Sequence, residues 1–359
     1  MALDEHKVAE GLKDLRTIYP TDEFSQDYML RVQVPTLYNP KNVAGIPEGD
    51  QVDSTGLDAL LMVIRRIISQ LPMEYRDTKD EAMGWREQAN PLRRLAMADL
   101  VSTDKDILQA AKYHALKAFY PGGSLEGKDL SFQALAEHKL MQETFWQLDP
   151  FLLFNPYTTF KLNGVWEVGT LKINDSLSED SLITFKTGSL GEQIAKKFGT
   201  FMTDDGIVFT KQANLPTILR VQYDVSAADP KKFQDLRKIV VDMRRLERRP
   251  DGIWKFTEPG AALKTYRLIA EVCLSSSADA SDTIRMYDAE GEVIPIPTTF
   301  PNHQREPLGK ENARYMLYYC YGLKDIPGEE SYSEILPPFD EEKADLLQNI
   351  LDRTTTKSH

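Results

Sequence analysis

The sequence predicts an α+β protein, a helical lobe followed by a mostly antiparallel β lobe. Up to about residue 150 apolar residues recur at helical spacing. After the stretch DPFLLFNPY they fall into short alternating runs rich in β-branched and aromatic residues, punctuated by turn residues. A chain of 359 residues is long enough for two average domains or one large one with sublobes.

Residues 1–52 read as an irregular N-terminal arm, with one short helix in VAEGLKDLRTIY and then turn-rich PTDEF, VPTLYNPKN and GIPEGD. Such an arm packs over a later domain or stays mobile. Residues 53–150 form the helical lobe. Its first helix, 53–71, is capped by Asp53 or Ser54 and ended by Pro72. Leu57, Leu60, Leu61, Ile64, Ile68 and Leu71 make its stripe, and Ala59, Met62, Val63 and Ile67 widen it until most of the helix is apolar. A helix apolar nearly all round is a buried one. Further helices are expected at 86–98, 104–118 and 129–147, the last opening at Ser131.

The β lobe, 151–323, contains TTFKLNGVWEVGTLKI, SLITFK, GIVFTK, PTILRVQYDV, KIVVDMRRL, GIWKF, TYRLIAEVCL, DTIRMYD, EVIPI and ARYMLYYCYG, with one helix expected in SLGEQIAKKFGTFM. Residues 324–359 are expected to give a closing helix and a disordered tail.

The net charge of −12 argues against nucleic-acid binding, which needs a basic footprint. A local basic patch does exist at Arg244, Arg245, Arg248 and Arg249. The strand-like alternation there puts Lys238, Val240, Asp242 and Arg244 on one face, either a solvated strand end or a surface for an acidic partner. Two cysteines, an N-terminus unlike a targeting signal and no membrane-length apolar run give the expectation of a cytoplasmic or nuclear protein away from membranes.

No CxxC pair occurs and the five histidines are scattered, so no metal site is expected. PGGS and TGSLG lack the context of a phosphate loop, and no cofactor is expected. There is no GxSxG elbow. Cys273 and Cys320 both fall in apolar strand patterns, where cysteines are usually inert.

Several stretches together resemble the ubiquitin-specific protease family, whose fold is papain-like. DSTGLDALLMVI is similar to the family's cysteine box, with Ser54, Asp58 and Ala59 matching. In that register Asp53 replaces an asparagine, Thr55 stands at the nucleophilic cysteine and Gly56 at an aromatic. NLPTILRVQYDV resembles the LPxxLxLxLxRF strand at Leu215, Pro216, Leu219 and Val221, and YRLIAEVCL the next strand at Tyr266, Leu268 and Ala270. Where the catalytic histidine strand should follow, ASDTIRMYD places Ser281 or Asp282 near the histidine position, and ARYMLYYCYG resembles the closing strand.

The resemblance implies a deubiquitinase fold without its catalytic pair. No catalytic residue is assigned. A threonine hydroxyl without an adjacent strong base is a poor nucleophile, and Thr55 reads as part of a helix cap. The implied function is binding of ubiquitin, a ubiquitin-like protein or another protein without cleavage. The alternatives are an assembly subunit unrelated to ubiquitin and a divergent hydrolase using Cys273. The implied partner-contacting residues are Thr55, Gly56, Asp58, Ser281, Asp282 and Tyr287, lining a groove that Gly56 should leave open.

Overall fold

Helix α4, Thr55–Ile68, organises the molecule. Ser54 caps it by accepting from the Leu57 N–H, and every residue from Gly56 to Ile68 is buried. In the computed structural model it packs against helices of its own lobe on one side and the edge of a β-sheet on the other, as its all-round apolar pattern requires. The structure describes residues 5–35, 37–42, 45–155, 158–162, 165–169, 177–202, 206, 208–248, 254–275, 282–288, 291–294 and 308–322.

Before α4 the chain forms α1 (Glu5–Gly11), α2 (Leu15–Ile18) and α3 (Glu23–Val32). This corrects the expectation of an irregular arm with one short helix. α3, capped by Asp22, packs on α4, and Leu15 and Leu30 belong to the main core. The Leu15 N–H donates to Met97 O and the Asp99 N–H to Lys13 O, so the segment is stitched to the helical lobe by backbone bonds.

After α4 come α5 (Glu81–Ala89), α6 (Pro91–Ala96), α7 (Lys105–Phe119), α8 (Phe132–Ala136) and α9 (Lys139–Met141). The helix expected at 86–98 is broken because Asn90 ends α5 and caps α6, with Pro91 at the first helical position. The helix expected at 129–147 breaks at His138, which caps α9, and continues as a π-helical turn, Gln142–Trp146.

The β lobe contains β1 (Thr158–Leu162), β2 (Val165–Gly169), α10 (Leu177–Asp180), β3 (Leu182–Phe185), α11 (Leu190–Ala195), β4 (Gly199–Met202), β5 (Val208–Lys211) and β6 (Ile218–Asp224). There follow α12 (Phe233–Leu236), β7 (Lys238–Asp242), β8 (Leu246–Arg248), β9 (Trp254–Phe256), β10 (Leu263–Leu274), β11 (Thr283–Met286) and β12 (Arg314–Tyr321). SLGEQIAKKFGTFM is half helix and half strand, α11 then β4. EVIPI contributes only a bridge, Tyr287 to Val293, and its residues 295–296 lie outside the described residues. The closing helix expected after residue 324 also lies outside them.

The main sheet runs β11-β10-β12-β6-β3, and β7 also pairs with β10. β7 takes the Leu263–Arg267 half of β10 and β11 takes Ala270–Cys273, while β12 pairs along nearly its whole length. Among the described strand pairs only β3–β6 is parallel. A second sheet runs β2-β1-β5-β4, and β8–β9 form a hairpin. Residues of β12 alternate between two cores: Met316, Tyr318 and Cys320 face the helical lobe, while Tyr315, Leu317 and Tyr319 face α11 and α12. On β7, Ile239 and Val241 are buried, so Lys238, Val240 and Asp242 turn outward, as their alternation predicts.

Candidate functional site

The sequence-predicted site lies where the head of α4 meets β11. Two of its members, Gly56 and Asp282, converge there on a short stretch of backbone that sequence reasoning had not assigned to a site: Leu130, Ser131 and Phe132.

Gly56 sits directly against that stretch. A Cβ built on it would lie 2.2 Å from Leu130 O and 2.5 Å from Phe132 N, so only glycine fits. The expectation that Gly56 leaves the end of the helix open is therefore corrected: backbone fills the space a side chain would take. Next to it, the Ser54 hydroxyl donates to Leu130 O at 3.2 Å while accepting from Leu57 N at 3.1 Å. Thr55, half-buried, begins the helix.

Asp282 closes the same stretch from the sheet side. Its Oδ2 accepts from the Phe132 N–H at 2.9 Å and its Oδ1 from the Ser275 N–H at 2.8 Å. A carboxylate in that position satisfies an otherwise unpaired donor at the start of α8. The Phe132 ring is fully buried, edge-on to Tyr318. Ser281 lies outside the described residues.

Asp58 and Tyr287 point into the protein interior, away from any partner. Asp58 is fully buried; its Oδ1 pairs with Lys112 Nζ at 2.6 Å and its Oδ2 accepts from the Tyr38 N–H at 2.8 Å. Burial pushes its carboxyl above the usual range, against the pull of Lys112 and the Tyr38 N–H. It ties α7 and the N-terminal segment to α4. Tyr287 stacks on Phe233 in the core beyond the sheet, and its carbonyl accepts from Arg66 Nε at 2.9 Å. Both are corrected from partner-contacting to structural positions.

The groups that chemistry would need lie elsewhere among the described residues. Cys273 packs against the core on the far side of the sheet from α4, and burial raises its thiol pKa. Cys320 is buried, with its thiol pushed up to about 12 by burial. His114 faces Glu5 on α1, and His138 accepts from the Leu140 N–H and packs its ring on Phe119 and Tyr120. No group of three or more His, Cys, Asp or Glu side chains among the described residues is placed to hold a metal ion. No described helix is long and apolar enough to cross a membrane.

Sequence reasoning also missed Asp50, which organises the loop leading to Phe132. Its Oδ1 accepts from the Leu125 N–H at 2.7 Å, and its Oδ2 from Lys117 Nζ at 3.0 Å and the Tyr113 hydroxyl at 2.9 Å. Burial pushes the Asp50 carboxyl up, but the Leu125 N–H, Lys117 and Tyr113 outweigh it and hold the group below the usual carboxylate range. No local pattern marks Asp50, because its partners lie more than sixty residues away.

No protein-family model matches the chain, and no curated protein matches it in sequence. Among solved structures it is similar to the Saccharomyces cerevisiae PAN2 pseudoubiquitin-hydrolase, over 80% of this chain and 88% of that one, at 11% identity and a TM-score of 0.36. It is also similar to the Saccharomyces cerevisiae Pan2 pseudoubiquitin hydrolase-RNA exonuclease module in complex with AACCAA RNA, at 8% identity and a TM-score of 0.26. There it covers 77% of this chain and 46% of that longer one. Neither likeness assigns the chain to a family.

Proposed function

We propose that this chain is a non-catalytic protein of deubiquitinase-like layout that binds ubiquitin, a ubiquitin-like protein or another protein partner without cutting it. The observation that carries the reading is the head of α4. Its first turn offers a threonine hydroxyl, its neighbour Gly56 is packed under backbone, and the carboxylate across from it is spent on the Phe132 and Ser275 amides. The Asp282 carboxylate is thus used for structure. A nucleophile needs a base within hydrogen-bond reach, and the described cysteines and histidines with assigned contacts make them elsewhere. A binding surface does not depend on that chemistry and persists without it.

The test is calorimetric titration of the full chain with ubiquitin and a panel of ubiquitin-like proteins. Saturable binding to at least one modifier is expected. Flat titrations with all of them would favour the second reading, an assembly subunit unrelated to ubiquitin. The covered head of α4 is the observation on that side, since the backbone of residues 130–132 lies directly over Gly56.

A further inference from the structure

We propose that residues 121–132 form a strap that closes the mouth between α4 and β11, with the Asp282 carboxylate as its latch. The strap links α7 to α8. Residues 121–124 and 126–129 are exposed, and only Leu125 and Phe132 are buried along it, with Leu130 and Ser131 half-buried. It is fastened by the core side chains of Leu125 and Phe132 and by a series of polar contacts. At its near end the Asp50 carboxylate holds the Leu125 N–H, the Ser124 hydroxyl donates to Gly49 O at 2.6 Å, and Lys117 Nζ donates to Gly123 O. Midway the Tyr120 hydroxyl donates to Asp129 O at 2.8 Å. At the far end Ser54 holds Leu130 O and Asp282 holds the Phe132 N–H.

These two ends differ in what they join. The Asp50 end is fastened within the helical lobe. The Asp282 end crosses from the sheet to the helical lobe, so it is the contact that determines whether the mouth is shut. Gly122 and Gly127 supply the pivots. Both are in the left-handed region, with φ of 74° and 71°, and neither has an atom within 4 Å of where a Cβ would stand. The chain can therefore turn at these points, and swinging the strap out withdraws Leu125 and Phe132 from the main core.

Swinging the strap out exposes the α4 first turn and the face of Gly56, the surface a partner needs under the function proposed above; the inference rests on that reading for what enters, but not for the motion itself. A partner that binds only the open form has its apparent affinity reduced by the fraction of molecules that are open. The latch thus sets the threshold for binding.

Hydrogen exchange of the full chain, with no partner present, tests the motion. Asp282→Ala removes two charge-assisted bonds, and amides of residues 128–132 should exchange roughly ten- to a hundredfold faster. Leu60 to Ile68 in α4 should stay slow. Gly127→Ala, which touches nothing, disfavours the closed turn and should speed the same amides by a smaller factor; it keeps the test valid if Asp282→Ala does not fold. Unchanged exchange in the strap, or equal acceleration of the strap and α4, would overturn the proposal. Because no modifier is added, a failed titration with ubiquitin leaves this result standing. Conversely, ubiquitin binding with an immobile strap would sink the latch alone.

Discussion

The two ends of α4 are both sealed, but by different means. At the C-terminal end the seal is cationic and internal. Arg65, fully buried, donates from its two terminal nitrogens to Ala96 O and Ala98 O at 2.7 Å, to Met29 O at 2.9 Å and to Gln33 Oε1 at 3.1 Å. Burial lowers its guanidinium to about 9, and that of the neighbouring Arg66 to about 10. Backbone carbonyls from α3 and from the end of α6 close around the charge. At the N-terminal end the seal is anionic and reaches across lobes, and it holds an exposed loop. A guanidinium wrapped by carbonyls cannot release one of them without leaving buried charge uncompensated. The Asp282 carboxylate is buried too, but it is a cross-lobe contact at the end of a strap whose residues 126–129 are exposed. One end of the helix is therefore a fixed joint and the other a closable mouth.

The largest expected effect breaks the fixed end. Arg65→Ala removes the guanidinium bonds to Ala96 O, Ala98 O and Met29 O inside a packed core and should cost on the order of 3–5 kcal/mol in urea unfolding. A loss below about 1 kcal/mol would mean that water reaches these carbonyls and that the two ends are more alike than described.

A smaller loss is expected at the mouth. Gly56→Ala forces a Cβ against Leu130 O, and the strap must shift. The predicted destabilisation is about 1–3 kcal/mol, with faster exchange confined to residues 128–132. A bulkier Gly56→Trp should displace the strap outright, so it is not the neutral blocking substitution that an open helix end suggests. Unaltered stability in Gly56→Ala would show that the mouth is looser than its geometry.

The smallest effect depends on pH. Asp50 is held below its ordinary value of 3.8 in the folded state, so its contribution is present above that value and lost as pH falls through the lower folded one. Melting curves of wild type and Asp50→Asn should differ at neutral pH by about 0.5–1.5 kcal/mol, and the gap should close as pH drops below about 3.8. A gap that persists at pH 2 would assign Asp50 a role independent of its charge.

The comparison also shows what was legible in the sequence. The burial of α4 followed from its own residues, because a helix apolar on every side has nowhere else to go. The strands carrying Cys273 and Cys320 are legible as near-continuous apolar, β-branched and aromatic runs, which suits strands buried on both faces. α3 was missed because EFSQDYMLRV mixes polar and apolar residues; its Asp22 cap and its contact with α4 hold it helical. The mouth was half legible. Gly56 and Asp282 do meet one stretch of backbone, but a missing aromatic at Gly56 reads as open space when a distant loop fills it. Asp58 matched a motif position, yet its partner Lys112 lies 54 residues on, and no local pattern joins the two. Contacts of this kind are set by tertiary packing, which one sequence window does not contain.

The proposal of a closed, non-hydrolytic α4 head is tested by reaction of the purified full chain with ubiquitin bearing a thiol-directed group at its C-terminus, followed by intact-mass analysis, for wild type and Thr55→Cys. The expected result is no adduct with wild type and no efficient turnover of ubiquitin conjugates by Thr55→Cys, since the new thiol would have no adjacent base and would lie beside the strap. A stoichiometric adduct on wild type, mapped to Cys273 or Cys320, would contradict it.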